Sequence, residues 1–115
     1  MDTCLFCKII KGDIPAEKVY EDDSSMIIRD IDPKAPYHLL ALPRKHYAAI
    51  HDIPSEELSS YMGGLTKAVS HYLKESGLDQ RGYRLVINSG ESAGQSVFHI
   101  HMHILGGRSM QWPPG

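Results

Sequence analysis

From Phe98 to Ile104, in the stretch VFHIHMHIL of residues 97–105, every second residue is a histidine and the residues between are apolar. A period of two is the mark of an extended strand, whose successive side chains point to opposite faces. Phe98, Ile100, Met102 and Ile104 then share one face, and His99, His101, His103 and Leu105 share the other. The apolar face belongs against a core. The histidine face is expected to turn outward into a cleft.

A partner for the apolar face lies in the middle of the chain. Between Ser55 and Ser76 the residues Leu58, Tyr61, Met62, Leu65, Ala68, Val69, Tyr72 and Leu73 recur at spacings of three and four, which predicts one long helix ended by Gly77. Gly63 and Gly64 inside it lower helix propensity by about 1 kcal/mol each relative to Ala, so a close packing partner is expected there. Around this helix, CLFCKIIKGDIP reads as a short helical turn closed by Gly12, and VYEDDSSMIIRDIDP as two strands about the turn residues Asp22 to Ser25. HLLALP, between Pro36 and Pro43, is apolar almost throughout, as a central strand is. YRLVIN is a further strand, and the loop SGESAGQS joins it to the histidine strand. Strands, one main helix and strands again predict an α+β fold, an antiparallel sheet covered on one face by the long helix, with a short N-terminal helix. A chain of 115 residues, 42% of them hydrophobic, fills one core, so a single domain over residues 1–115 is expected.

Charge and patterning exclude several classes of partner. The formal net charge is -2 and lysine and arginine form no stripe, so the footprint of a protein that grips long nucleic acid is missing. No apolar run approaches the roughly 20 residues that cross a bilayer, and MDTCLFCKIIKGD lacks the basic start and apolar stretch of a signal peptide. The expected setting is cytoplasmic, with no membrane partner. Both cysteines fall in CLFC, where they are a redox pair, a metal pair or two inert thiols. A thioredoxin-like motif would follow a strand, and only three residues precede Cys4.

The three histidines of one strand face cannot share one metal. Alternate residues are about 6.6 Å apart along a strand, so the His99 and His103 backbones would be about 13 Å apart. Zinc holds imidazole nitrogens at about 2.0 to 2.1 Å. The histidines are therefore expected to divide their labour.

HIHMHIL, with AGQSV before it, GGRSMQWPPG after it and FCKIIKGDIPAEKVYEDD near the start, resembles the histidine triad (HIT) superfamily, and within it the Hint branch of purine nucleoside phosphoramidases. The resemblance covers nearly the whole chain and implies a HIT-like antiparallel sheet. It implies that His101 is a nucleophile toward the α-phosphorus of a nucleotide, that His103 assists the leaving group, and that His38 orients or tunes His101. Chemically this suits imidazole, which keeps a lone pair at neutral pH and forms a labile phosphorus–nitrogen bond. By the same resemblance Gly94, Gln95, Ser96 and Val97 meet the α-phosphate, Asp30 binds the ribose hydroxyls, Ile31 packs on the base, and Asn88 lies near phosphate or ribose. Zinc ligands by resemblance are Cys4, Cys7, His46 and His99, a closed four-ligand set of structural character. The resemblance further implies a homodimer in which the MQWPPG tail, with Trp112, reaches the partner's active site. His51 and His71 match no motif and are expected at the surface, and Arg108 can pair with a phosphate or stay solvated.

The expected function is hydrolysis of purine nucleoside 5'-phosphoramidates, AMP or GMP linked to an amine, through a covalent nucleotidyl-histidine. Within the superfamily the rival is a dinucleoside polyphosphate hydrolase, which the WPPG tail disfavours. From another class the rival is a nucleotide-binding interaction protein with incidental turnover.

Overall fold

The computed structural model describes residues 3–115. In chain order the elements are α1 (Leu5–Lys11), β1 (Lys18–Glu21), β2 (Ser25–Arg29), β3 (Tyr37–Pro43), α2 (Ser55–Ser76), α3 (Leu78–Arg81), β4 (Tyr83–Val86) and β5 (Met102–Gly106), with short 3-10 turns at Ile50–Asp52 and Glu91–Ala93. The five strands form one sheet in the order β1-β2-β3-β5-β4, with every neighbouring pair antiparallel. This is the α+β architecture expected from the sequence. β3 is the middle strand, as its apolar run predicted, because it is buried on both faces.

One face of the sheet carries Ile27, Leu39, Ala41, Met102 and Ile104, and α2 lays Leu65, Ala68, Val69, Tyr72 and Leu73 on it to make the main core. The helix has the predicted bounds, with Glu56 and Glu57 in its first turn, where the helix dipole favours negative charge, and Gly77 in the left-handed conformation at its end. The close approach expected at the glycine pair falls on one of them. A Cβ on Gly64 would lie 2.9 Å from the Cβ of Ser24, whereas one on Gly63 would meet nothing within 4 Å. The opposite face carries a smaller apolar cluster, Phe6 with Met26, Ile28, Leu40 and Leu42, which seats α1. A seven-residue helix is too short to persist by propensity, so this packing sustains it.

Three expectations need correction. The histidine strand begins at Met102, not Val97: residues 98–101 leave the ladder, and the Ile100 N–H donates instead to the Tyr47 carbonyl at 2.8 Å. Phe98 accordingly leaves the core face and is 50% exposed, while Ile100 stays buried. The histidine face does not open outward along its length, since α1 covers it and His99 and His101 are buried. β4 also stops at Val86, leaving Ile87 and Asn88 in the following loop. Helix α3 has no periodic signal in four residues. It places a fully buried Leu78 so close to β5 that a Cβ on Gly106 would be 2.7 Å from the leucine methyl. No helix among the described residues is long and apolar enough to cross a membrane.

Candidate active site and metal centre

Register brings the first two histidines together. His38 pairs with Leu105 and Leu40 with His103, so His38 and His103 are diagonal neighbours on the face away from α2. Their ring nitrogens, His38 Nε2 and His103 Nδ1, are 2.9 Å apart. The Lys34 backbone N–H donates to His38 Nδ1 at 2.9 Å, which makes that nitrogen an acceptor. His38 Nε2 then carries the proton and donates to His103 Nδ1, which leaves the hydrogen of a neutral His103 on Nε2. Asp30, just past β2, has one carboxylate oxygen 3.3 Å from His38 Nε2 and takes the Asp32 N–H on the other at 2.8 Å. Each oxygen keeps a lone pair for a ligand hydroxyl. Burial lowers the pKa of His38 against the pull of Asp30. Burial, with His101 and His38 as neighbours, pushes His103 down to about 4. Asp30, His38 and His103 are close enough together to hold a metal ion. A neutral His38 with Nδ1 occupied must keep the Nε2 proton, however, so the trio reads as a hydrogen-bonded chain.

His101 has the opposite tautomer. Its Nδ1–H donates to the His99 carbonyl at 2.8 Å, so Nε2 holds the lone pair. The ring of Phe6 packs edge-on against it, with centroids 4.9 Å apart at 72°, and the His103 ring lies 5.1 Å away. One face of the sheet thus presents an imidazole with a bare Nε2 beside an imidazole with an N–H.

A second cluster assembles around α1. Cys4 caps the helix and its sulfur accepts the Cys7 N–H, which turns both sulfurs to one side. His46 follows β3 and His99 precedes β5, and both direct Nδ1 at the sulfurs. The separations are 3.5 Å from Cys4 Sγ to His99 Nδ1, 3.4 Å from Cys7 Sγ to His46 Nδ1, 3.6 Å from Cys7 Sγ to His99 Nδ1, and 3.1 Å between the two Nδ1 atoms. A tetrahedral zinc with ordinary bond lengths has sulfur–nitrogen edges of about 3.5 Å and nitrogen–nitrogen edges of about 3.3 Å. His99 Nε2 donates to the Pro43 carbonyl at 2.7 Å, which leaves Nδ1 free of hydrogen and aimed at the cluster. Burial pushes His99 down to about 4, lowers His46, and raises the Cys7 thiol. The donor set fits zinc in kind, number and spacing.

The loop expected to hold phosphate is divided by the structure. Gly90 and Gly94 have positive φ, and Gly94 stands in open space. Ser96 is exposed, and Val97 packs against the cluster around Phe6. Together with Cys4, Leu5, His46 and Phe98 they line a cleft of about 520 Å³. Gln95 is different. Its Oε1 accepts the Gly90 N–H at 2.7 Å, and its Nε2 donates to the Ala48 and Val97 carbonyls at 2.7 and 3.2 Å. The residue is 4% exposed, and these three bonds tie its amide to the loop and to the segment after β3. Ile31 is fully exposed beside Asp30, and the half-buried Asn88 shares a cleft of about 480 Å³ with Trp112. The tail lies along this chain's own β4, where Arg84 donates to the Gln111 carbonyl at 3.0 Å. His51 and His71 are exposed, as expected, and His71 faces Glu75 at 3.2 Å. Arg108 donates to the Lys34 carbonyl at 2.9 Å, next to the residue that fixes His38. A depression of about 560 Å³ between Arg81, Tyr83 and Arg108 touches none of the histidines.

Three participants escaped the sequence reading. The Lys34 N–H and the Pro43 carbonyl set tautomers through backbone atoms, which leave no mark in a side-chain pattern. Phe6 was visible only as one of two apolar residues between the cysteines and as the start of the FCKIIKGDIP stretch, with no role attached.

An antiparallel α+β domain with complementary histidine tautomers on one sheet face, beside a thiol–imidazole cluster, defines the class to which the protein belongs. The chain belongs to the HIT domain family, whose sequence model matches residues 11–110. It is 47% identical to a HIT family hydrolase from Legionella pneumophila, with a TM-score of 0.93 over 98% of this chain and 100% of that one. A histidine triad nucleotide-binding protein from Candida albicans is 34% identical, with a TM-score of 0.82 over 96% of this chain and 83% of that one. A zinc-bound histidine triad family protein from Mycobacterium smegmatis is 35% identical, with a TM-score of 0.76 over 99% of this chain and 81% of that one.

Proposed function

We propose that the chain hydrolyses purine nucleoside 5'-phosphoramidates by way of a nucleotide carried on His101. The observation that carries this reading is the complementary pair of tautomers, a bare Nε2 on His101 beside an N–H on His103. With the rings 5.1 Å apart, a single phosphoryl group can lie against both. A bound phosphate anion opposes the burial and like-charge effects that hold His103 neutral, so His103 takes up a proton as substrate binds. His101 Nε2 attacks phosphorus and the phosphorus–amine bond breaks, its electron pair going to the amine nitrogen. That nitrogen takes the His103 proton and the amine leaves. Water then attacks phosphorus and gives a proton to His103, while the electron pair of the phosphorus–Nε2 bond returns to His101. The products are an amine and a nucleoside 5'-monophosphate.

Asp30 suits the ribose hydroxyls, Leu5 and Ile31 offer exposed apolar surface to a base, and Ser96 offers a hydroxyl to phosphate. Cys4, Cys7, His46 and His99 would hold zinc, and the Mycobacterium smegmatis relative supports that assignment. A closed four-ligand zinc would supply a crosslink between α1 and the segment before β5. The partner is a second copy of this chain. β4 is an edge strand among the described residues, and Tyr83 and Leu85 on it are exposed on the side of the sheet that α2 packs.

Rapid-quench mass spectrometry tests the reaction. An AMP–amine conjugate should add a nucleotidyl mass to the peptide containing His101, and His101→Ala should abolish turnover while AMP still binds. An adduct on another residue, or near-normal turnover in His101→Ala, sinks the scheme. Binding with negligible turnover in both chains would instead identify a nucleotide-binding module.

A further inference from the structure

Besides the neighbouring His103 ring, two contacts meet the His101 ring, and both of these come from residues tied to the thiol–imidazole cluster. The first is the His99 carbonyl, which accepts the Nδ1–H at 2.8 Å while the side chain of the same residue points its own Nδ1 at Cys4 and Cys7. The second is the Phe6 ring, 4.9 Å from His101 and 5.9 Å from His99. Phe6 is the buried residue of α1 and lies between the two cysteines in sequence. The hold on His38 is separate, because the Lys34 N–H reaches it from the loop after β2 and no cluster residue takes part.

We infer that the Cys4, Cys7, His46 and His99 cluster is a positioning device for His101. A metal held there fixes the His99 backbone and the α1 register together. It thereby sets the tautomer and ring plane of a histidine that is not itself a ligand. With the cluster empty, α1 is a seven-residue helix retained by side-chain packing alone, and residues 98–101 lie outside the sheet ladder. The carbonyl and the ring that select the Nδ1–H form of His101 then move independently, and the Nε2–H form, which cannot attack phosphorus, becomes populated. Misplacement of a reacting group by about 1 Å can cost about a hundredfold in rate. Metal-free protein is expected to turn over about ten- to a hundredfold more slowly, in kcat more than in KM. The inference rests on zinc binding at the cluster and on His101 as nucleophile.

The test uses the full chain labelled with nitrogen-15, as zinc-loaded, chelator-stripped and zinc-reloaded samples at one fixed pH. Long-range proton–nitrogen spectra report which ring nitrogen of each histidine carries hydrogen. Signals of His101 are assigned by their loss in His101→Gln, and zinc content is measured by elemental analysis. In the loaded chain His101 should show a single Nδ1–H form. On stripping, its two nitrogen signals should move together or broaden, and they should return on reloading, while His38 keeps its shifts. Phe6→Leu should broaden the same His101 signals with one zinc still bound. Unmoved His101 signals on stripping overturn the coupling, and unmoved signals in zinc-loaded Phe6→Leu overturn the role of the ring. Equal movement of His38 shows that the metal merely holds the fold together and also overturns the proposal. A chain that takes up no zinc defeats the metal reading in the elemental analysis, and an adduct on another residue defeats the nucleophile reading in the quench experiment. Neither failure resembles a spectral one.

Discussion

The side chain of Gln95 offers a sharp test, because family resemblance gives it to the ligand and the structure gives it to the loop. Gln95→Ala removes three hydrogen bonds, two of them at 2.7 Å, from a residue that is 4% exposed. Neutral intramolecular hydrogen bonds contribute about 0.5 to 1.5 kcal/mol each, but Gly90 is exposed and its N–H can turn to water. The expected loss is therefore about 2 to 3 kcal/mol in urea unfolding at 25 °C. Gln95→Glu separates the two readings. It is nearly isosteric and keeps an acceptor for Gly90, yet it sets a carboxylate oxygen against the Ala48 and Val97 carbonyls. Two donated bonds become two repulsions, so at pH 7 this variant should be at least as unstable as Gln95→Ala. Acidification should restore part of the loss. The introduced carboxyl, disfavoured as an anion, titrates above its unfolded value, so the penalty is absent below the unfolded pKa and develops as pH rises through the folded one. A Gln95→Glu chain of normal stability with impaired nucleotide binding would refute the loop-lock and return Gln95 to the ligand.

The two helix glycines should respond with opposite signs. Gly63→Ala gains about 1 kcal/mol of helix propensity, whereas Gly64→Ala meets Ser24 at 2.9 Å and should lose about 1 kcal/mol net, both read as shifts in urea midpoint. Stability of metal-free protein should fall as pH is lowered from about 6.5 to about 4, because His99 and His103 titrate near 4 when folded and the unfolded chain binds the protons first. A flat profile over that window refutes the burial of these two histidines. Sedimentation should show a dimer at micromolar concentration that Leu85→Lys converts to monomer, and a wild-type monomer sinks the edge-strand pairing. Tyr37→Phe removes the hydroxyl that takes a hydrogen bond from Arg81 at 3.1 Å and keeps the ring packed against the main core, on the face away from the histidines, so activity should stay within about twofold.

Periodicity alone determined much of this molecule. The spacing of Leu65, Ala68, Val69, Tyr72 and Leu73 is a local property of one helix, and Gly77 ends it through its own backbone freedom, so α2 was legible to the residue. The run at 38–43 likewise announced a strand buried on both faces. Its limit shows at residues 98–101, where strict alternation predicted a strand and the Tyr47 carbonyl drew the Ile100 N–H out of the ladder. A pattern of side chains records which face is apolar. It does not record where a backbone donor finds its partner 53 residues away. The candidate site divides on the same line. Histidine spacing, together with resemblance, marked the residues that could do chemistry. Only the tertiary structure decided which nitrogen of each ring holds the hydrogen, because the Lys34 N–H and the carbonyls of Pro43 and His99 are backbone groups whose placement depends on the whole fold. Gln95 shows the same limit, since only burial and three partners distant in space distinguish an amide that binds a ligand from one that holds a loop.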